Sequence, residues 1–286
     1  SSGWLSSAKT VTRIRFDDGT ELSGNGLGAM GLAILGTGGD DTLEGWSDNN
    51  RLFGGAGNDV LDGGSGTNRL EGGAGDDILR VASSSQNSVF NGGAGDDRLE
   101  LGSYGNVIEF GLGDSHDTVV QPETLYTQSR YGDTLKLGAG ITANDLWLSR
   151  DGSNLTLHVS DDDALTFAGV VSSSGWLSSA KTVTRIRFDD GTELSGNGLG
   201  AMGLALRGTD GDDTLKGWSD NNRLLGGAGN DVLDGGSGTN RLEGGAGDDT
   251  LRVSSSSHNS VFNGGAGDDR LELGSYGNVI EFGLGG

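Results

Sequence analysis

The chain has 286 residues, of which 57 are glycine, one is proline and none is cysteine; 33% are hydrophobic and the formal net charge is −22. Glycine is about three times as frequent as in ordinary domains, so apolar burial alone would give a weak core. The acidic excess disfavours nucleic acid and anionic membranes as partners and favours cations, while the lack of cysteine excludes disulfides and thiolate metal sites. No apolar run is long enough to cross a bilayer, so we expect no membrane insertion.

The sequence repeats itself at an offset of 172 residues, because residues 1–114 recur as residues 173–286 with nine differences. Both ends of the chain fall inside this unit. That pattern is typical of a window from a longer array of near-identical units. We therefore expect neighbouring copies of the unit to be partners within one larger protein.

A shorter period of nine residues runs through 36–119 and again from 208 onward. Rows such as GGAGNDVLD (54–62) and GGAGDDILR (72–80) begin with closely spaced glycines, and an 11-residue row (81–91) interrupts the period once per copy. Such a period predicts stacked repeats rather than a disordered glycine-rich linker. The eighth row position is apolar and is predicted to form an inward ladder of Leu43, Leu52, Leu61, Leu70, Leu79, Phe90, Leu99 and Ile108.

These rows resemble the RTX family of calcium-binding nonapeptide repeats, GGxGxDxUx, where U is a large apolar residue. The resemblance implies a parallel β-roll in which each row forms a turn and a short strand, and rows i and i+2 stack on the same edge. We predict an all-β chain with one parallel roll over 36–119 and a second over 208–286. An antiparallel, hairpin-rich capping segment with a connector links them over 120–207, and residues 1–35 form the end of another such segment.

The sixth row position alternates between acidic and neutral residues. The acidic rows carry Asp41, Asp59, Asp77 and Asp97, and in the second copy Asp213, Asp231, Asp249 and Asp269. The rows between them carry Asn50, Asn68, Ser88 and Asn106. Alternate rows lie on opposite edges of the predicted roll, so one edge, the acidic edge, should hold a file of Ca²⁺. The other, the neutral edge, should bind calcium weakly or not at all, since its residues also fit simple turn chemistry.

Main-chain carbonyls of the glycine-rich turns would complete the calcium ligands, because Ca²⁺ accepts about six to eight hard oxygens. The first and third positions of the acidic rows are therefore predicted metal-binding residues: Gly36, Gly38, Gly54, Ala56, Gly72, Ala74, Gly92 and Ala94, then Gly208, Asp210, Gly226, Ala228, Gly244, Ala246, Gly264 and Ala266. We expect about three ions per roll, with a fourth site where Asp114 and Asp117 follow. Asp40, Asp76 and Asp96, at the fifth position, are interpreted as solvated charge.

Antiparallel signals replace the nine-residue period between the rolls. DLWLSRDGSNLTLHVS (145–160) predicts a hairpin around Asp151-Gly152, and TRIRFDDGTEL (184–194) predicts another around Asp190-Gly191. The run 133–159, with the downstream IRFDDGTEL, resembles the haemolysin-type calcium-binding related domain that often follows RTX rolls in large secreted proteins. Residues 23–35 and 195–207 fit either a short helix or an extended connector.

The leading functional prediction is a calcium-dependent structural module, an extender or stalk of a large secreted or surface-attached bacterial RTX protein. The family resemblance implies type I secretion, with folding on Ca²⁺ after export. The alternative is a secretion and folding appendage of an RTX enzyme or toxin. Ice binding is disfavoured because the third position carries Gly or Ala rather than a Thr ladder, and an adhesive target is not identifiable. No catalytic residues are predicted, since His116 lies among aspartates without a nucleophile or second histidine.

Overall fold

We obtained the fold from a computed structural model that describes residues 13–15, 21–23, 33–47, 49–122, 132–171, 183–196, 198–218 and 221–282. The chain divides into two compact units, Ser1–Ala139 and Gly140–Gly286. Within the described ranges the secondary structure consists of short β-strands and one 3-10 helix, without an α-helix. The predicted all-β fold is therefore confirmed.

The first unit consists of an antiparallel pair and two parallel sheets. Its strands are β1 (Arg13–Arg15), β2 (Glu21–Ser23), β3 (Ala33–Leu35), β4 (Thr42–Glu44), β5 (Arg51–Ala56), β6 (Val60–Asp62), β7 (Arg69–Ala74), β8 (Ile78–Arg80), β9 (Val89–Ala94), β10 (Arg98–Glu100), β11 (Val107–Phe110), β12 (His116–Val120) and β13 (Thr134–Leu137). One parallel sheet has the order β4-β6-β8-β10-β12 and the other β3-β5-β7-β9-β11-β13, while β1 pairs with β2. Successive rows thus alternate between the sheets, which is the predicted β-roll.

Apolar side chains from both sheets fill the space between them. In the parallel registers Leu61 pairs with Leu79, and Leu70 pairs with Phe90. The eighth-position residues of the first roll are all buried, most of them with no exposed surface. Their neighbours on either side along each strand point outward, because side chains alternate across a strand. The ladder predicted from the period is therefore the core of the roll.

The 11-residue row keeps this register because its two extra residues are taken up in the turn. The amide of Ser85 donates to the Ala82 carbonyl at 2.8 Å, and Asn87 adopts a left-handed conformation with φ 55°. Left-handed backbone suits asparagine better than most residues with a side chain. Phe90 consequently still stacks in line with Leu70 and Ile108.

The second unit contains antiparallel hairpins and a roll. Its strands are β14 (Trp147–Asp151), β15 (Asn154–His158), β16 (Ala164–Phe167), β17 (Arg185–Arg187), β18 (Glu193–Ser195), β19 (Ala205–Arg207), β20 (Thr214–Lys216), β21 (Arg223–Ala228), β22 (Val232–Asp234), β23 (Arg241–Ala246), β24 (Thr250–Arg252), β25 (Val261–Ala266), β26 (Arg270–Glu272) and β27 (Val279–Ile280). The roll sheets run β19-β21-β23-β25-β27 and β20-β22-β24-β26, and β14 adds to β19 in parallel.

Both predicted hairpins are present. Strands β14 and β15 pair antiparallel, with Asp151 opposite Asn154, so the turn consists of Gly152 and Ser153 rather than Asp151 and Gly152. Strands β17 and β18 pair antiparallel around the 188–192 loop. The hairpin β14–β15 continues into β16, and this antiparallel group extends one sheet of the second roll.

The 195–207 connector contains both a short helix and an extended segment, the two forms that the sequence left open. In 195–207 a 3-10 helix spans Leu199–Met202 and is followed by strand β19. Of the equivalent 23–35 segment, residues 24–32 lie outside the described residues. The unit boundary after Ala139 falls inside the predicted 120–207 segment, and the predicted domain limits stay a prediction.

Two of the tryptophans that the structure describes, Trp147 and Trp218, serve packing. The Trp147 ring stacks on His158 with centroids 3.6 Å apart, and the Arg207 guanidinium lies 5.2 Å from the Trp147 centroid. Trp218 is buried at the start of the second roll. Trp4 and Trp176 lie outside the described residues. These contacts favour packing over carbohydrate stacking at Trp147 and Trp218.

The core ladder yields a stability prediction. Leu70→Ala removes a side chain with 0% exposure, and the resulting cavity should destabilise the first roll by about 2–5 kcal/mol. Chemical denaturation followed by circular dichroism measures the change. Leu35→Ala is the matched control, because Leu35 is 70% exposed, and equal effects of the two variants would contradict the assigned core.

Candidate metal centre

The sixth-position aspartates of the first roll form a continuous file along one edge. Asp59 Oδ1 accepts the Asp41 N–H at 2.7 Å, and Asp77 Oδ1 accepts the Asp59 N–H at 2.7 Å. The pattern continues through Asp97 and Asp117, whose Oδ1 atoms accept the preceding aspartate N–H at 2.8 and 3.0 Å. One oxygen of each carboxylate therefore binds the stacked turns to one another.

The second carboxylate oxygen has no such partner. Oδ2 is buried without a hydrogen-bond partner in Asp59, Asp77, Asp97 and Asp117. A buried, ionised acceptor without a donor or counter-charge is strongly unfavourable. Each of these turns thus holds a buried carboxylate oxygen that accepts no hydrogen bond from the protein.

The pKa values of Asp77, Asp97 and Asp117 reflect this lack of a partner. Burial is the main cause, and the neighbouring carboxylates add to it; together they raise the pKa of Asp77 to about 6 and that of Asp97 to about 7. The effect is largest at the end of the file, where burial and the charge of Asp97 raise the pKa of Asp117 to about 9. Hydrogen bonds from the stacked amides oppose the shift without cancelling it.

Main-chain carbonyls face the partnerless oxygens. A Cβ placed on Gly72 would collide with Asp77 Oδ2 and lie 2.6 Å from the Gly92 carbonyl oxygen. A Cβ on Gly54 would likewise collide with Asp59 Oδ2 and lie 2.6 Å from the Gly72 carbonyl oxygen. The first-position glycine is therefore required because a carboxylate oxygen and the next acidic row's carbonyl share the space beside it.

This donor set fits a hard divalent cation. It consists of carboxylate and carbonyl oxygens without nitrogen or sulfur, which suits Ca²⁺ with its flexible coordination. Within the described ranges no three His, Asp or Glu side chains converge to hold a metal ion. A cation here would consequently depend on carbonyls as much as on carboxylates, which is why the glycines belong to the site.

The first acidic row differs from the others. Asp41 Oδ2 accepts hydrogen bonds from the Thr37 amide at 2.6 Å and the Thr37 hydroxyl at 2.8 Å. Asp213 has the same two partners in Thr209, at 2.6 and 2.9 Å. Threonine replaces the second-position glycine only in these rows, so each file begins with an aspartate that the protein itself satisfies.

The second roll repeats the arrangement. Asp231 Oδ1 accepts the Asp213 N–H at 2.8 Å, Asp249 Oδ1 accepts the Asp231 N–H at 2.8 Å, and Asp269 Oδ1 accepts the Asp249 N–H at 3.0 Å. Oδ2 of Asp231 and Asp249 is buried without a partner, and burial raises the pKa of both carboxyls.

The other predicted site residues divide by their surroundings. The first-position residues, Gly36, Gly54 and Gly72 with Gly208, Gly226 and Gly244, lie beside an aspartate Oδ2 and the next acidic row's carbonyl, whereas Gly92 and Gly264 lie beside their own row's aspartate. Third-position carbonyls of Ala74, Ala94, Ala246 and Ala266 accept the fourth-position amide of the preceding acidic row at 2.8 Å. The role of the remaining third-position residues, Gly38, Ala56, Asp210 and Ala228, as calcium ligands stays a prediction.

Asp114 and Asp117 occupy different places. Asp117 continues the file, as described above, whereas Asp114 Oδ2 accepts the Gly111 N–H at 2.7 Å in the turn before β12. The negative charge of Asp114 nonetheless contributes to the raised pKa of both Asp97 and Asp117. The predicted fourth site therefore has Asp117 in register, with Asp114 in its electrostatic surroundings.

The fifth-position side chains do more than carry solvated charge. They are exposed, but Asp40 Oδ1 accepts the Asn58 N–H at 2.9 Å and Asp76 Oδ1 accepts the Asp96 N–H at 2.9 Å. This outer ladder runs in the opposite direction to the sixth-position file, since each side chain accepts from the following row on its edge. The ladder was not predicted, because metal binding and solvation were the two roles assigned to such side chains from the sequence.

The neutral edge forms a hydrogen-bonded file of its own. Asn68 Oδ1 accepts the Asn50 N–H at 3.0 Å, and Ser88 Oγ accepts the Asn68 N–H at 3.0 Å. The file ends at Asp133, which the sequence analysis missed: its carboxylate accepts the Asn106 amide at 2.7 Å and Gln121 Nε2 at 2.6 Å. The run DTLKL (133–137) could have revealed it, since it repeats the polar-to-apolar spacing of the rows.

The geometry defines the class: a parallel β-roll of stacked nine-residue coils with carboxylates and carbonyls along one edge. The family model of the RTX calcium-binding nonapeptide repeat matches residues 34–61, 47–79, 80–103, 205–233, 219–251, 234–257 and 252–275, about half of the chain. The chain is an RTX repeat protein, and its rolls are calcium-binding repeat modules.

Other comparisons add little. Among solved structures the chain is similar to the extracellular lipase LipA from Serratia marcescens, with 22% identity and a TM-score of 0.17 over 80% of this chain. The similar region is 32% of that lipase chain, so the chain spans about a third of its length. No curated protein matches. Where the structure describes the chain, it contains no helix that is long and apolar enough to cross a membrane.

The carbonyl arrangement predicts a strong effect of one methyl group. Gly72→Ala should displace Asp77 Oδ2 or the Gly92 carbonyl, and we expect a loss of about 1–3 kcal/mol in stability together with weaker calcium binding. Calcium titration calorimetry and thermal unfolding measure both. Gly39→Ala is the control, because a Cβ at Gly39 meets nothing within 4 Å; a Gly72→Ala protein that behaves like this control would refute the proposed crowding.

The raised pKa values predict the pH dependence of the calcium-free roll. Because the pKa of Asp77, Asp97 and Asp117 is higher in the folded than in the unfolded state, protonation favours folding. Their contribution is fully present below the unfolded pKa of about 4 and is lost as the pH rises through the folded values. Circular dichroism of metal-depleted protein should therefore show more β-structure at acidic than at alkaline pH.

A triple Asp77→Asn, Asp97→Asn, Asp117→Asn variant should flatten that pH profile. The matched control is Asp40→Asn, Asp76→Asn, Asp96→Asn, which removes three exposed charges from the same edge. If the control flattens the profile as much as the triple variant does, net charge rather than the buried carboxylates governs the response.

Proposed function

We propose that the chain is a calcium-dependent extender module of a large secreted bacterial RTX protein. The observation that carries this proposal is the file of buried Oδ2 atoms facing main-chain carbonyls, which lacks any protein donor. Calcium at the acidic edge would supply the missing positive charge and join successive turns. Such a module is structural, and its function is to hold other parts of the protein at a distance.

The proposed ligands follow from the file. The sixth-position carboxylates of adjacent acidic rows and the first-position carbonyls between them would hold each ion. The supporting contacts favour the intervals Asp59–Asp77, Asp77–Asp97 and Asp97–Asp117 in the first roll, about three ions in all. The interval Asp41–Asp59 has a weaker requirement, since Thr37 satisfies Asp41.

Charge makes calcium a folding switch in this proposal. With a net charge of −22 and 57 glycines, the calcium-free chain has strong self-repulsion and a high entropy of ordering, both of which favour the unfolded state. Low cytosolic calcium would keep the chain in a form suited to type I secretion, and extracellular calcium would fold and stiffen it. Surface attachment would then depend on segments of the parent protein other than the rolls.

Near-identity of the repeats supports the extender over an enzyme or toxin appendage. Residues 1–114 and 173–286 differ at nine positions, and a spacer uses many copies of one part whereas an enzyme uses one active site. The sequence of the whole gene distinguishes the two. Many units support the extender; one or two units behind a catalytic domain support the appendage.

A calcium titration of the metal-depleted chain tests the proposal. We expect a cooperative gain of β-structure by far-UV circular dichroism with Ca²⁺ and little gain with Mg²⁺, because Mg²⁺ requires a tighter octahedral site and gives up water reluctantly. A chain that is fully folded in chelator at neutral pH, or that stays unfolded at millimolar Ca²⁺, would overturn the proposal.

A further inference from the structure

Where the neutral edge carries asparagine, it differs from the acidic edge by the exchange of one side-chain atom. Asn50 and Asp59 occupy the same row position, and the side chain of each lies beside the first-position glycine of its row, Gly45 and Gly54. At the acidic edge the atom facing the next row's carbonyl is the partnerless Asp59 Oδ2. At the neutral edge the corresponding atom is the amide nitrogen of Asn50, which is a donor.

The side-chain amide of Asn50 donates hydrogen bonds to oxygens that would face a carboxylate if aspartate occupied its position. Asn50 Nδ2 donates to the Gly63 and Trp46 carbonyls, both at 2.9 Å, and lies 3.0 Å from Asn68 Oδ1. The second roll repeats the arrangement, with Asn222 Nδ2 at 3.0 Å from the Gly235 carbonyl and 2.9 Å from Asn240 Oδ1. The side-chain NH2 group of the asparagine is thus surrounded by three acceptors. They are a first-position carbonyl, a second-position carbonyl and a sixth-position side-chain oxygen.

In the rows that carry serine instead of asparagine, the hydroxyl of a second serine supplies the missing hydrogen-bond donor. Ser88 lacks the amide, but the extra residues of the 11-residue row bring Ser85 Oγ to 3.3 Å from Ser88 Oγ and into a hydrogen bond with the Gly66 carbonyl. Ser257 and Ser260 have the same relation at 3.0 Å, with Ser257 bonded to Gly238. The insertion therefore supplies the donor that the shorter side chain lacks.

We propose that the side-chain amides and hydroxyls of the neutral edge take the place that calcium takes at the acidic edge, so that this edge forms without metal. This inference rests on the proposed calcium function of the acidic edge. Each roll would then have one metal-dependent edge and one permanently satisfied edge. In the asparagine rows the calcium requirement would be set by the identity of a single side-chain atom, and in the serine rows by a pair of hydroxyls.

Asn50→Asp, with Asn49→Asp as the matched control, tests this inference. Asn49 is exposed at the fifth position, and its Oδ1 accepts the Thr67 N–H at 2.8 Å, a bond that aspartate can also accept. Both variants add one negative charge, but only Asn50→Asp buries a donorless oxygen. In chelator at neutral pH, Asn50→Asp should lower the folded-to-unfolded ratio by about five- to thirtyfold relative to the control.

Calcium should reverse that effect and reveal a new site. We expect Asn50→Asp to bind more calcium than wild type in titration calorimetry and to need a higher calcium concentration for half-maximal folding, whereas Asn49→Asp matches wild type. If the two variants agree in both measurements, or if wild type already binds calcium at this position so that the ion count does not change, the inference is overturned.

The reciprocal exchange covers the case in which Asn50→Asp fails to fold. Asp77→Asn provides an amide donor at the acidic edge, and Asp76→Asn is its exposed control. Asp77→Asn should lower the number of bound ions and increase the β-structure retained in chelator, and equality with Asp76→Asn would overturn the inference. Failure of the proposed function gives a different result. Wild type would then show no response to calcium, while the comparison of the variants in chelator would still decide the inference.

Discussion

The roll depends on how it satisfies the buried sixth-position oxygen of each turn. Stacking the rows in parallel places this side chain between two turns, where one oxygen accepts the neighbouring amide and the other atom faces a carbonyl. An amide donor is satisfied there, whereas a carboxylate oxygen requires a donor from another side chain, as Thr37 provides for Asp41, or a proton or a cation. The same coil geometry therefore gives a self-sufficient edge or a metal-dependent edge according to the residue present.

This constraint explains the glycine content as well as the acidity. The first-position glycine leaves room for the sixth-position side chain and the next row's carbonyl, and a Cβ there would enter both. The apolar core is narrow because each row contributes one large inward side chain, such as Leu61 or Leu70. With so little apolar area per residue, polar and ionic bonds between turns must supply stability that a wider core would provide elsewhere.

The repeat period made most of this architecture predictable. The eighth-position residues from Leu43 to Ile108 and the alternation at the sixth position predict the two sheets, their register and the acidic edge. The hairpin at Asn154 followed from strand alternation and a glycine turn, with an error of one residue in the turn. Periodicity is informative here because each coil contacts its neighbours in the same way.

Features outside the strict period were not predicted. Asp133 joins the neutral edge after a gap in the rows that hides the row-like spacing of the run 133–137, and its buried contacts with Asn106 and Gln121 identify it. Thr37 satisfies Asp41 because one second-position residue differs from glycine, and Ser85 acts through an insertion that a strict nine-residue period treats as irregular. These contacts depend on three-dimensional proximity between rows, which a single sequence does not encode as spacing.

The acidic edge is not uniform along its length. Asp41 at its start is satisfied by Thr37, whereas burial and neighbouring charges raise the carboxyl pKa progressively, to about 6 at Asp77, about 7 at Asp97 and about 9 at Asp117. The free energy needed to ionise the buried carboxylates in the absence of a cation thus increases toward β12. The first coil differs, because its aspartate accepts hydrogen bonds that the chain itself supplies through Thr37.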